Sequence, residues 1–184
     1  REEVNLSAVR LEPPPEHWWM KTLSAAVLRR EFDIYGGENR WFGQYQDLED
    51  DMPMGRYAMS DMSRKLLVSA FDYADIARRR RENYAILDEA LSHLAFYPRL
   101  PEGVVPLGFP VRLANRDEML RRLYAQRIYP PVHWPFPGIL PREYVESYRL
   151  QSHIMMLICD QRCGPEEMRR TIDLLRADAM PAPS

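Results

Sequence analysis

The stretch IYPPVHWP, residues 128–135, sets a histidine and a tryptophan between prolines. Proline fixes its own φ and drives the preceding residue toward extended backbone, so Val132, His133 and Trp134 have little conformational freedom. Two readings follow. His133 and Trp134 line the rim of a binding site, or Trp134 fills a core corner while His133 makes one backbone hydrogen bond. A second candidate is CDQRCG, residues 159–164, where an apolar run ends and a helix begins. There Asp160 can cap the turn, and Arg162 stands where a guanidinium at a helix start can bind carboxylate or phosphate.

Other chemistry is harder to assemble. His17, His93 and His153 have no partners at metal-ligand spacing. There is no glycine-rich phosphate loop, no GxSxG elbow and no paired Cys/His cluster, so the chain shows no nucleophile of its own. Cys159 and Cys163 are too few for a disulfide framework and make a poor zinc site, which points to a reducing, cytoplasmic setting.

The bulk numbers bound the rest. The 184 residues suffice for one ordinary domain or a small domain with a helical appendage. With 46% hydrophobic and 28% charged residues the chain reads as soluble and globular, and no apolar run approaches the roughly 18 residues of a membrane span. A formal net charge of −2 creates no global field toward nucleic acid or anionic lipid. The run ARRRRENY, residues 77–84, could be a phosphate-binding patch. On a helix, though, four successive residues fan through roughly 300°, so the arginines form no single stripe and read instead as a solvated or subunit-facing surface. The first residue is Arg1 and no signal segment follows it, which suggests a piece of a longer chain.

The elements that must position these residues can be placed by periodicity. Residues 1–20, with LEPPPEHWW, read as irregular and polyproline-like, followed by a helix from Thr22 to Phe32 that Gly36 and Gly37 break. ENRWFGQYQDLEDDMPMG suggests a short helix and a loop with exposed rings. From Ser60 the pattern sharpens: Asp72 caps a long amphipathic helix with Ile76, Arg80, Tyr84, Leu87, Leu91 and Leu94 on one face, ended by Pro98 and Pro101. GVVPLGFPVRL reads as an edge or bulged strand, NRDEMLRRLYAQR as a helix capped by Asn115, and IYPPVHW as a second strand. REYVESYRLQSH is a short helix, IMMLIC a buried third strand, and Pro165 opens a last helix with Met168, Ile172 and Leu175 inward.

The expected fold is therefore α+β: a small three-stranded, mainly antiparallel sheet covered on one side by helices, with a long linker helix before it. Residues 1–60 form a helical and irregular segment, and residues 61–184 a distinct domain.

Taken together, RRRRENYAIL, VPLGFPVRLANRDEMLRRLYAQRIYPPVHWP and ICDQRCGPEEMRRTIDLL resemble the C-terminal small domain of DegT/StrS-type sugar aminotransferases, fold-type I pyridoxal-phosphate enzymes. The likeness covers roughly residues 61–178. It implies transfer of an amino group from glutamate to a nucleotide-linked keto-sugar or similar carbonyl by the full-length enzyme. This part would close the active-site cleft, with His133 and Trp134 near substrate and Tyr129 a weaker candidate; Arg162, from the helix-start reading above, is a further cleft candidate. Cys163 departs from the tyrosine that the family often carries there.

The resemblance further implies pyridoxal 5'-phosphate as cofactor of the full-length enzyme, bound by a preceding large domain of the same polypeptide, and a homodimer. No catalysis and no cofactor are expected of this chain alone. Lys65, in SDMSRK, is superficially similar to the family's S-x-x-K setting, but it falls in the linker region and is not assigned the role. Residues 1–60 would complete or border the large domain. A different reading of the same residues is a non-catalytic dimerisation or interaction module built on that fold, using the arginine-rich helix and the HWWM and RWFG aromatics.

Overall fold

A computed structural model describes residues 10–97, 99–133, 139–178 and 180–181. The chain divides into two compact units, residues 1–71 and 72–184.

The first unit is helical. Helix α1 spans Glu16–Tyr35, α2 Arg40–Asp50 and α3 Asp61–Ser69. Helix α1 starts well before the expected Thr22, directly after the proline triplet. A proline at a helix entrance lacks only an N–H that the first turn would leave unsatisfied anyway, so the triplet blocks extension backward and not forward. The Pro15 carbonyl accepts from the Trp18 N–H at 3.1 Å, and the Trp18 indole donates to the Leu48 carbonyl at 3.2 Å. Part of the expected aromatic exposure is thus lost, since Trp18, Trp19 and Trp41 are half-buried and the Arg29 guanidinium lies 4.1 Å from the Trp41 ring centre. Gly36, at φ 71°, ends α1 in a conformation that a Cβ would disfavour, and its N–H returns to the Phe32 carbonyl. Ser60 caps α3 by accepting from the Ser63 N–H.

The second unit runs α4 Tyr73–Leu91, a 3-10 turn Ser92–Leu94, β1 Phe109–Arg112, α5 Arg116–Ala125, α6 Val145–His153, β2 Ile154–Leu157 and α7 Pro165–Asp178. Asp72 caps α4, its Oδ1 accepting from the Asp75 N–H at 2.9 Å. At the start of α7, Glu167 reaches back to the Gly164 N–H at 2.8 Å, the reciprocal half of a capping box.

The two strands pair antiparallel with Phe109 opposite Leu157 and Val111 opposite Met155. These four side chains point to one face, where they meet Leu87 and Leu91 of α4, Met119 and Leu123 of α5, and Met168, Ile172 and Leu175 of α7. The period of two turns Pro110, Arg112, Ile154 and Met156 to the other face. Tyr84 meets Phe109 edge-on, ring centres 4.8 Å apart.

Two strands, not three, form among the described residues. Among the described residues of the expected second strand at 128–134, one backbone bond reaches β2, from the Met156 N–H to the Pro131 carbonyl at 3.1 Å, while the Ile128 N–H turns back to the Leu123 carbonyl. Met156 faces Pro110 across the β1–β2 register, so its N–H is directed outward and available for that bond. Pro130 and Pro131 have no N–H to return, and no ladder can follow. The segment instead shields the outer edge of β2. Asn115 also departs from expectation: it does not cap α5 but accepts from the Met180 N–H at 3.0 Å, fastening the segment after α7.

Candidate functional site

His133 stands exposed at the border of a groove of about 570 Å³ on the open face of the sheet. The prolines explain its placement. Pro130 is buried and Pro131 is bonded to β2, so the backbone is fixed two residues before the imidazole. The floor comes from Pro110, Ile154 and Met156, one wall from Phe96 and Tyr97, and the facing wall from Ser147, Leu150 and Gln151 of α6. The volume is that of a small-molecule site, mostly apolar with His133, Ser147 and Gln151 as polar points. His133 is thus placed beside this groove. Trp134 lies outside the described residues.

Tyr129 and Arg162 are not among the residues around this groove. Tyr129 is exposed, its ring centre 5.6 Å from that of Tyr124. Arg162 is engaged in the turn after β2, where its Nη2 donates to Asp160 Oδ2 at 2.6 Å and its Nε to the same oxygen at 3.1 Å. Asp160 Oδ1 accepts the Arg162 backbone N–H at 2.8 Å, so the capping role expected of Asp160 is the one it plays.

That turn is a second cluster, and the arginine run builds it. Asn83, buried on α4, donates from Nδ2 to the carbonyls of Asp160 and Cys163, each at 3.0 Å. Arg79 donates to the Gln161 carbonyl at 2.9 Å, and Arg80 to the Gln161 side chain at 2.8 Å and the Pro106 carbonyl at 2.9 Å. Arg81 holds the carbonyls of Val104 and Gly103 at 3.0 and 2.9 Å, while Arg78 bonds Asp75 and Glu82. The four arginines fan out as the helical geometry requires, and three of them clamp the two loops that flank the sheet. Their work lies within the fold rather than at a phosphate backbone.

Burial pulls the Asp160 carboxyl upward, but its bonds to the Arg162 side chain and backbone, with the charges of Arg162 and Arg80, hold it below its ordinary value. Burial pushes the Cys159 thiol up to about 11 against the pull of Arg80, and raises Cys163 as well. Neither thiol is primed as a nucleophile. No group of three or more His, Cys, Asp or Glu side chains among the described residues could hold a metal ion, and no described helix is long and apolar enough to cross a membrane.

A pyridoxal group needs a lysine in a pocket and a phosphate cradle. Lys21 and Lys65 are both exposed, on α1 and α3, and neither borders the groove beside His133. The residues present do not fit that cofactor.

Asn83 was missed by sequence reasoning, although a signal existed. It lies three residues after Arg80 and four before Leu87, a polar side chain on the buried stripe of an amphipathic helix, which must find partners.

No protein-family model and no curated protein matches the chain. Among solved structures it is similar to a DegT DnrJ EryC1 StrS aminotransferase from Brucella abortus, with 22% identity and a TM-score of 0.47 over 56% of this chain and 31% of that one. It is also similar to an aminotransferase TlmJ from Streptoalloteichus hindustanus, with 26% identity and a TM-score of 0.47 over 62% of this chain and 32% of that one. The chain spans about a third of the length of these solved structures.

Proposed function

We propose that residues 72–184 form the small domain of a DegT/StrS-type aminotransferase and that the chain works as the C-terminal part of such an enzyme. The observation that carries this reading is the junction between α4 and the turn after β2. RRRRENY and CDQRCG, two stretches on which the family resemblance rests, are bonded to each other through Asn83, Arg79 and Arg80. The third stretch supplies β1, α5 and the Pro131 carbonyl that meets β2. Separate weak motifs thus interlock in one packed unit, as parts of a single inherited domain should.

In this reading the complete enzyme moves an amino group from glutamate to a keto-sugar or similar carbonyl, acting as a homodimer. The pyridoxal-binding lysine and phosphate loop belong to a preceding large domain, since the lysines of this chain do not serve. His133 and its groove face the cleft, where the imidazole positions the acceptor and the proline-stiffened segment helps exclude water. Tyr129 and Arg162 have lesser roles, Arg162 acting through Asp160 to hold the turn before α7.

The test uses the complete polypeptide encoded by the gene, supplied with pyridoxal phosphate, glutamate and a nucleotide-linked keto-sugar. Release of 2-oxoglutarate is expected, with His133→Ala raising KM for the acceptor about tenfold or more while the half-reaction with glutamate is little changed. Absence of any amino transfer by the pyridoxal-loaded polypeptide contradicts the reading.

A further inference from the structure

The groove beside His133 adjoins a second hollow of about 410 Å³, and Tyr97, Pro110 and Met156 border both. The far hollow is walled by the loop carrying Val104 to Leu107, which Arg80 and Arg81 hold through the carbonyls of Pro106, Val104 and Gly103. Together the hollows make an apolar trough along the open face of the β1–β2 pair.

The charge around this trough is one-sided. Arg99 is exposed and lines the far hollow, and the Arg112 guanidinium sits 5.7 Å from the ring centre of Phe96, a wall residue of the near one. Arg81 lies behind the Val104 carbonyl. Arg81, Arg99 and Arg112 make no ion pair with a carboxylate among the described residues, whereas Arg78, Arg79, Arg116 and Arg162 each do. No Asp or Glu is among the described residues bordering either hollow. An apolar floor bordered by the Arg99 guanidinium, with that of Arg112 over a wall residue and neither paired to a carboxylate among the described residues, is complementary to an anion carried on an apolar body.

We propose that this trough binds an amphiphilic anion, a carboxylate or phosphate ester on an aromatic or aliphatic body. The apolar part rests on Met156, Pro110 and Tyr97, and the anionic group meets Arg99 or Arg112. The inference does not depend on the aminotransferase reading, because it concerns binding by this chain without cofactor.

The chain is titrated with phenylbutyrate and, separately, with its neutral analogue phenylbutyramide, by calorimetry and by amide chemical shifts. The carboxylate is expected to bind saturably, to shift the amides of Met156 and Tyr97, and to bind about tenfold more tightly than the amide. Arg99→Gln, at an exposed position, and Arg112→Gln are each expected to weaken carboxylate binding severalfold and leave the amide's affinity unchanged. Equal affinities for the two compounds, no saturable binding, or shifts confined to residues away from the trough overturn the proposal. Should Arg112→Gln fail to fold, Arg99→Gln decides the charge dependence alone.

Discussion

The side-chain amide of Asn83 donates to the backbone carbonyl of Asp160 at 3.0 Å, across 77 residues of sequence and from inside a helix. The same nitrogen reaches the Cys163 carbonyl, so one buried amide closes the turn that links β2 to α7. Packing of α7 against α4 depends on where that turn ends, because Met168 and Leu175 enter the core from it.

Asn83→Ala takes a buried donor from the Cys163 carbonyl and from the Asp160 carbonyl, the latter keeping the Cys163 N–H at 3.2 Å. We expect a loss of about 2–3 kcal/mol in urea unfolding, as for other buried polar groups deprived of partners. Asn83→Asp should cost at least as much, because a carboxylate offers those carbonyls no donor. A change under about 0.5 kcal/mol for both variants would show that the turn is held by other contacts.

Gly108 precedes β1 at a point of close approach. A Cβ there would lie 2.7 Å from Met156 Sδ and 2.9 Å from the Leu157 carbonyl oxygen. The methionine can swing away; the carbonyl belongs to the strand and cannot. Gly108→Ala is therefore expected to cost about 1–3 kcal/mol, as overpacking does, and adding Met156→Ala should restore only part of it. Thermal unfolding of the single and double variants tests this, and full rescue would place the obstruction in the side chain alone.

Asp160 and Cys159 make opposite contributions to pH dependence. The folded-state value of Asp160 is depressed, so its stabilisation is present above the ordinary carboxylate range near about pH 4 and is lost as pH falls through the lower, folded value. Asp160→Asn keeps an acceptor for the Arg162 N–H and removes the charge; its stability should fall less steeply on the acid side than that of the parent. Cys159 is raised to about 11, so its contribution is complete below the ordinary thiol value and fades as pH climbs toward 11. Alkylation followed by mass spectrometry should find Cys159 protected until the chain unfolds. Rapid labelling of Cys159 in the folded chain would contradict its burial.

Much of the second unit could be read in advance where the signal was periodic. Met168, Ile172 and Leu175 repeat at helical spacing behind a first-turn proline, and all three are buried. Asp72 was legible as a cap because an Asx side chain before an apolar stripe has few other uses. Strand count failed at Pro130 and Pro131, where extended backbone alone suggested a strand. Extension is a property of φ and ψ, whereas a ladder needs donors, and prolines supply none. Helix α1 began early for a related reason, since a proline triplet looks like a barrier from either side and acts as one only toward the N-terminus. The arginine run lies at the surface as composition marked it, with Arg78, Arg79 and Arg81 exposed, yet Arg79, Arg80 and Arg81 also reach loop carbonyls 22 to 82 residues away. Sequence shows which donors exist but not where a distant loop will place its acceptors. Lining of the groove depended on such long-range placement, so only His133 could be singled out from the chain.

On the proposed function, these residues serve a pyridoxal enzyme whose reactive lysine lies outside them. Borohydride trapping after incubation with pyridoxal phosphate, followed by peptide mass spectrometry, tests it most directly when applied to the polypeptide encoded by the complete gene. One stoichiometric pyridoxyl-lysine located outside residues 1–184 is expected, with Lys21 and Lys65 unmodified. A stoichiometric adduct on Lys65 or Lys21, or no specific adduct anywhere in the polypeptide, would contradict it.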